Sequence, residues 1–232
     1  LAWEEKYWVL EFDESGEIIW SKEHGGDVQN ASWFSINPLP DGNYIAGGYL
    51  REYLHYVNDT LFYRQYGVIS KLTPEGDLIW HRKYTNAPMN VHEDIFWNVI
   101  PTSDGGILCV GTTRDSITHQ DVWVVKLDEY GCLEPGCEVI DATQETNIPQ
   151  SDLSVFPNPT DGIVNIELKD KSDWFKQIQI LSLSGQLLDD VQFLPTYRTG
   201  IFTTNLGKYA PGVYLVRVRT NKGIGIRKIV KR

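Results

Sequence analysis

Val68-Ile69-Ser70-Lys71-Leu72-Thr73-Pro74-Glu75-Gly76-Asp77-Leu78-Ile79-Trp80 joins two short apolar runs through a turn built on Pro74 and Gly76. Runs of this length and β-rich composition read as strands, so the segment reads as strand, turn, strand. It recurs. Sixty residues earlier stands Trp8-Val9-Leu10-Glu11-Phe12-Asp13-Glu14-Ser15-Gly16-Glu17-Ile18-Ile19-Trp20, and 55 later Trp123-Val124-Val125-Lys126-Leu127-Asp128-Glu129-Tyr130-Gly131-Cys132-Leu133. A second hairpin lies between the copies. Trp33-Phe34-Ser35-Ile36, Asp41-Gly42 and Tyr44-Ile45-Ala46-Gly47-Gly48 return at an offset of 63 as Phe96-Trp97-Asn98-Val99, Asp104-Gly105 and Ile107-Leu108-Cys109-Val110-Gly111. Asp-Gly between two β-rich runs is a strong hairpin signal, because glycine takes the positive φ of a tight turn.

Each period therefore holds four strands, the sequence form of a propeller blade. Residues 1–133 resemble the propeller repeats of large secreted Bacteroidota proteins, with Val125-Lys126-Leu127-Asp128 and Ser103-Asp104-Gly105-Gly106 carrying the likeness. The predicted fold is all-β: a partial β-propeller of about two and a half blades, followed by an Ig-like β-sandwich. Closed propellers need ~4–8 blades, so the chain is expected to be the C-terminal part of a longer protein. The predicted domains are 1–140 for the blades, 141–152 for a polar linker and 153–232 for the sandwich.

Composition supports this division. Of 232 residues, 41% are hydrophobic, 12% aromatic and 22% charged, which suits packed cores and excludes general disorder. The net charge of −10 is split unevenly. Residues 1–152 hold 9 Lys and Arg against 25 Asp and Glu, or −16, while residues 153–232 hold 12 against 6, or +6. An acidic front half repels phosphates, and the basic tail has no aromatic-rich binding motif, so no nucleic-acid partner is expected. No run of about 18 apolar residues would span a bilayer as a helix.

After the linker, short apolar runs alternate with Asp161-Gly162, Ser184-Gly185, Pro211-Gly212 and Lys222-Gly223 over 80 residues, the pattern of a small sandwich. Core positions are expected at Val155, Ile166, Ile180, Leu183, Tyr214 and Val216. Four motifs stand in order: Pro157-Asn158-Pro159-Thr160-Asp161-Gly162, Leu183-Ser184-Gly185-Gln186, Pro211-Gly212-Val213-Tyr214-Leu215-Val216 and Arg227-Lys228-Ile229-Val230-Lys231-Arg232. With them, residues 153–232 resemble the type A C-terminal sorting domain of type IX secretion system cargo. The resemblance assigns the sorting signal to Pro157, Asn158, Pro159, Gly162, Gly185, Gly212, Tyr214, Lys228, Ile229, Val230 and Lys231. It implies passage through the periplasm to the cell surface or extracellular space. The implied partners are an outer-membrane translocon, a barrel-shaped shuttle protein and a sortase-type cysteine peptidase that joins cargo to lipopolysaccharide. A free, basic final strand would suit pairing with a partner. Val213–Val218 or Ile226–Val230 are the expected contact strands, with Arg217, Arg219, Arg227 and Lys228 pointing outward.

Cys132 and Cys137 flank Leu133-Glu134-Pro135-Gly136, a turn able to bring two cysteines within disulfide reach. In an oxidising periplasm a disulfide is expected; two metal ligands would be the alternative, but no second pair or nearby histidine completes a metal site. Cys109 stands where the earlier repeat has Ala46 and reads as a small buried residue. His24, His55, His81, His92 and His119 lie apart with no metal-binding or triad spacing, most of them on surface or turns. Asp13, Asp41, Asp104 and Asp128 recur with the repeats, which assigns them to turn capping. Trp8, Trp20, Trp80, Trp97 and Trp123 recur likewise, and packing between blades accounts for them better than a sugar platform. Thr60 and Ser116 lie in Asp59-Thr60-Leu61 and Asp115-Ser116-Ile117, which resemble the Bacteroidota O-glycosylation tripeptide and make them candidate acceptors. With no phosphate loop and no nucleophile elbow, no catalytic residue, cofactor or metal is nominated.

Two functions remain. The blades are read as a non-enzymatic module that binds an unknown surface ligand. The alternative makes them an accessory module of an enzyme whose catalytic domain lies upstream.

Overall fold

The computed structural model describes residues 6–24, 30–57, 60–86, 93–115, 119–137, 148–149, 152–195 and 200–232. These residues form sixteen strands and no α-helix, so the all-β reading holds. Most of the 141–152 linker lies outside the described residues, as does Ser116; Thr60 begins a strand, and its side chain lies outside them too. Tertiary contacts divide the chain into two compact units, 1–52 with 64–83 and 92–135, and 136–232 with 53–63 and 84–91.

In the first unit, β1 (Tyr7–Phe12) and β2 (Ile18–His24) form an antiparallel hairpin. Next, β3 (Asn30–Pro38), β4 (Tyr44–Val57), β5 (Thr60–Leu72) and β6 (Leu78–Thr85) lie in chain order in one sheet. Then β7 (Ile95–Pro101), β8 (Ile107–Asp115) and β9 (His119–Leu127) form a three-stranded meander. The repeats of sequence are repeats of structure. The β3–β4 register shifts between Trp33 and Ser35, and the β7–β8 register shifts at the counterparts Phe96 and Asn98. At both bulges the opposite strand carries glycine. A Cβ on Gly48 would lie 1.8 Å from the Ser32 carbonyl oxygen, and one on Gly111 would lie 1.7 Å from that of Ile95, so no other residue fits.

The hairpin turns repeat as well. Asp13 Oδ1 accepts from the Ser15 and Glu17 amides at 2.8 and 2.9 Å, and Asp128 Oδ1 from those of Tyr130 and Cys132 at 3.0 and 2.7 Å. Where the middle copy has Thr73, its Oγ1 accepts from Glu75 and Asp77, each at 3.2 Å. Asp41 and Asp104 cap the other two turns through the amides of Asn43 and Gly106. Each of these two is also gripped by a lysine from the third strand of its meander, Lys71 at 2.7 Å and Lys126 at 2.9 Å. The expected turn-capping aspartates are thus observed, as is a buried Cys109 in the place of the buried Ala46.

The tryptophans meet the expectation of packing between repeats only in part. Trp123 is buried and stacks on Phe96 at 4.4 Å, but Trp8 and Trp97 are 63% and 47% exposed. Trp97 instead stacks on Phe34, its counterpart in the preceding meander, at 4.8 Å. His24 and His81 are half-buried and hydrogen-bonded to the Gly76 carbonyl and Ser70 Oγ, which places neither on the open surface.

In the second unit, β10 (Leu153–Phe156), β11 (Ile163–Leu168) and β14 (Ile201–Asn205) form one sheet, ordered β10-β11-β14. The strands β12 (Phe175–Ser182), β13 (Leu187–Phe193), β15 (Gly212–Thr220) and β16 (Ile224–Lys231) lie in the order β16-β15-β12-β13. Alternate residues of β11 are buried, as expected where one face of a strand meets a core. Phe202 of β14 meets Phe193 of β13 edge-on at 5.0 Å, and Phe175 of β12 lies 5.6 Å from Phe193. Ile166, Ile180 and Val216 take their expected core places. Val155 and Tyr214 are only half-buried, and Leu183 is 62% exposed, because it sits at the tip of the β12–β13 turn and not in a strand.

Candidate functional site

The first and last of the four C-terminal motifs, some 70 residues apart in the chain, meet at β16. Antiparallel strands turn alternate backbone groups outward, so β16 has an inner edge paired with β15 and an outer edge. On the outer edge, Asn158 acts as a strand substitute. Its Nδ2 donates to the Lys228 carbonyl at 2.8 Å, and its Oδ1 accepts from the Val230 amide at 3.0 Å. Thr160 continues the pairing with its backbone. Its amide donates to the Val230 carbonyl, and its carbonyl accepts from the Arg232 amide, both at 2.9 Å. Further back, the Ile148 amide donates to the Ile224 carbonyl at 2.8 Å, and Arg227 Nε to the Leu153 carbonyl at 2.9 Å.

The final strand is therefore not a free edge. The expectation of an open strand fails because the Pro157–Gly162 segment folds over it and fills hydrogen bonds that an incoming strand would use. Phe156–Pro157 and Asn158–Pro159 are both cis. Thr160, 2% exposed, is held in turn by its Oγ1, which donates to the Ile163 carbonyl at 2.8 Å and accepts from the Gly162 amide at 3.0 Å.

The remaining motif residues serve turns and pairings. Gly185 has φ +85 in the turn closed by Ser182 and Gln186, a backbone region in which glycine carries no Cβ penalty. Gly212 opens β15 opposite Lys231. Tyr214 pairs with the fully buried Ile229, and its hydroxyl donates back to the Ala210 carbonyl at 2.6 Å, tying the strand to the loop before it. Of the basic residues expected to point outward, Lys228 is exposed. Arg217 is 5% exposed and donates to Gln179 Oε1 at 2.9 Å, which corrects its assignment to the surface. Arg219 and Arg227 are half-buried.

Sequence reading missed Thr160 and Arg227 as holders of β16. Thr160 lay inside the quoted motif, but nothing in its neighbours announced that its backbone would pair with Arg232. At the far turn, Lys222 grips Asp170, which holds that carboxyl below its ordinary range and raises the lysine. Cys132 and Cys137 are disulfide-bonded and buried, as expected. Burial pushes the Cys109 thiol well up, leaving it protonated and inert. Among the described residues no group of three or more His, Cys, Asp or Glu is arranged to hold a metal ion.

In this two-strand-layer domain the terminal strand is fastened to the opening motif, Asn158 and Thr160 holding Lys228, Val230 and Arg232. Residues 154–232 match the family described as Secretion system C-terminal sorting domain, and this part of the chain is a type IX sorting domain. The protein is accordingly a type IX secretion cargo that engages the secretion machinery and is exported to the cell surface or extracellular space. No curated protein matches the chain.

Proposed function

We propose that the sorting domain, an Ig-like sandwich of type A, is read by its machinery as a folded surface centred on the fastened final strand. Lys228 and Arg232 stand exposed there, with Lys231 half-exposed between them, a basic end suited to acidic partner surfaces. The readers are the outer-membrane translocon, the barrel-shaped shuttle and a sortase-type cysteine peptidase. The observation that carries this reading is the joining of Asn158 and Thr160 to Lys228–Arg232. Deleting residues 226–232 and substituting Asn158→Ala test it by cell fractionation: both should leave cargo in the periplasm. Normal surface display of the deletion would end the reading.

The repeat region, 1–140, is proposed to be a set of propeller blades that binds a ligand at the cell surface, with 141–152 as linker. Phe34 and Trp97, 45% and 47% exposed, stack at 4.8 Å, and Tyr49 lies 5.6 Å from Phe34, so three rings line up at the surface of the first unit. Exposed, near-parallel rings offer apolar faces to the C–H faces of sugars. Binding of a cell-surface polysaccharide by the purified protein, with loss on Trp97→Ala, supports this; undiminished binding by the variant refutes the platform.

A further inference from the structure

The first unit shows how one meander covers the next. Phe96 and Trp123 lie over Gly67, where a Cβ would come within 2.9 and 2.6 Å of their rings, and Val99 lies over Gly47, 2.3 Å from a Cβ there. Ile69, on the same face as Gly67, is fully buried. One step earlier, Trp33, the counterpart of Phe96, stacks at 4.5 Å on Tyr7, the counterpart of Gly67. The same contact is made twice, in the same direction.

Continued by its own offsets, the repeat leaves one such face uncovered. Val110, Val122 and Val124 stand at the positions of Gly47, Gly67 and Ile69, and they are 38%, 78% and 58% exposed. The covering side is bare at the other end. Trp8, counterpart of the buried Trp123, is 63% exposed, and Ile36, counterpart of the fully buried Val99, is 46% exposed. Terminal units of stacked repeats normally turn a polar face to water, so apolar faces at both ends mark a stack that continues.

We propose that Val110, Val122 and Val124 form a docking surface for a further meander of the same repeat, carried by the same polypeptide, which lays an aromatic side chain over Val122 as Phe96 lies over Gly67. The inference rests on the repeat reading above and not on the ligand. Both contacts of this kind, Trp33 of β3 on Tyr7 of β1 and Phe96 of β7 on Gly67 of β5, are made within one polypeptide, which favours the same polypeptide over a second copy as occupant. Val110 and Val122 are also larger than Gly47 and Gly67, so the incoming meander must carry smaller side chains opposite these two than Val99 and Trp123.

Cysteine accessibility in the natural secreted protein tests this. Val122→Cys and Val124→Cys are compared with Glu75→Cys, an exposed turn position, while Cys109 serves as the buried reference. Covered positions should react with a maleimide more than about tenfold more slowly than Glu75→Cys, since reaction then waits on local opening. That protection should persist on dilution. Labelling at the control rate overturns the proposal, and so does protection lost on dilution, which would make the occupant a second copy. Should Val122→Cys not reach the surface, Val110→Cys reads the same face. Loss of polysaccharide binding would leave these rates, and the proposal, unchanged.

Discussion

Asn158→Ala removes both side-chain bonds to β16, the 2.8 Å donation to the Lys228 carbonyl and the 3.0 Å acceptance from the Val230 amide. A hydrogen bond contributes about 0.5–1.5 kcal/mol net, and because this edge is open to water the two together should fall at about 1–2 kcal/mol. For a unit of this size that corresponds to a fall in unfolding temperature of roughly 5–15 °C. The local effect should be larger than the global one, since the Val230 amide loses its partner while the β15 pairing of the strand remains. Asn158→Asp separates geometry from shape: it keeps the acceptor for Val230 but sets a carboxylate against the Lys228 carbonyl, so it should destabilise although it is nearly isosteric. The assays are thermal unfolding of the full chain and hydrogen exchange at Val230. Lys228→Ala, which leaves all these bonds in place, is the control. Unchanged Val230 exchange in Asn158→Ala, with stability within about 0.5 kcal/mol of the parent, would refute the fastening.

Gly48→Ala and Gly111→Ala should each destabilise the first unit by about 3 kcal/mol or more, since the added Cβ meets a carbonyl oxygen at 1.8 or 1.7 Å; denaturant unfolding in which only one responds would break the structural equivalence of the meanders. Asp41 is held down to about 2 from 3.8, first by its bond to Lys71 and then by Asn43. A folded value below the unfolded one means that its stabilisation is full above 3.8 and is lost as pH falls through about 2, so Asp41→Asn should flatten the acid limb of a melting-temperature titration in that window. The effect should be small, because the Asp41 carboxylate stands in water on the surface of its turn. Replacing Cys132 and Cys137 by serine should lower stability by ~2 kcal/mol, the entropy of a short closed loop, and thermal unfolding with and without reductant should show the same loss in the parent. Leu183→Ser should leave unfolding within about 0.5 kcal/mol of the parent, since that side chain is already in water.

What the sequence determined by itself is what depends on near neighbours. Strands, turns and repeats were legible because an alternating apolar run, an aspartate or threonine two residues before an amide, and a glycine at positive φ act within a few residues of one another. The disulfide between Cys132 and Cys137 was legible for the same reason. Recognition of residues 153–232 also came from sequence, through four ordered motifs, although their roles did not. Only the tertiary structure decided that Asn158 and Thr160 fasten Val230 and Arg232, that Arg217 turns inward to Gln179, and that Leu183 stays in water. It likewise decided that residues 53–63 and 84–91 belong with the C-terminal unit. The physical reason is common to these cases. A strand's edge, the buried side of a polar residue and the cover over an apolar face are set by which distant segment arrives there, and the alternation of a strand fixes two faces without saying which of them will be covered.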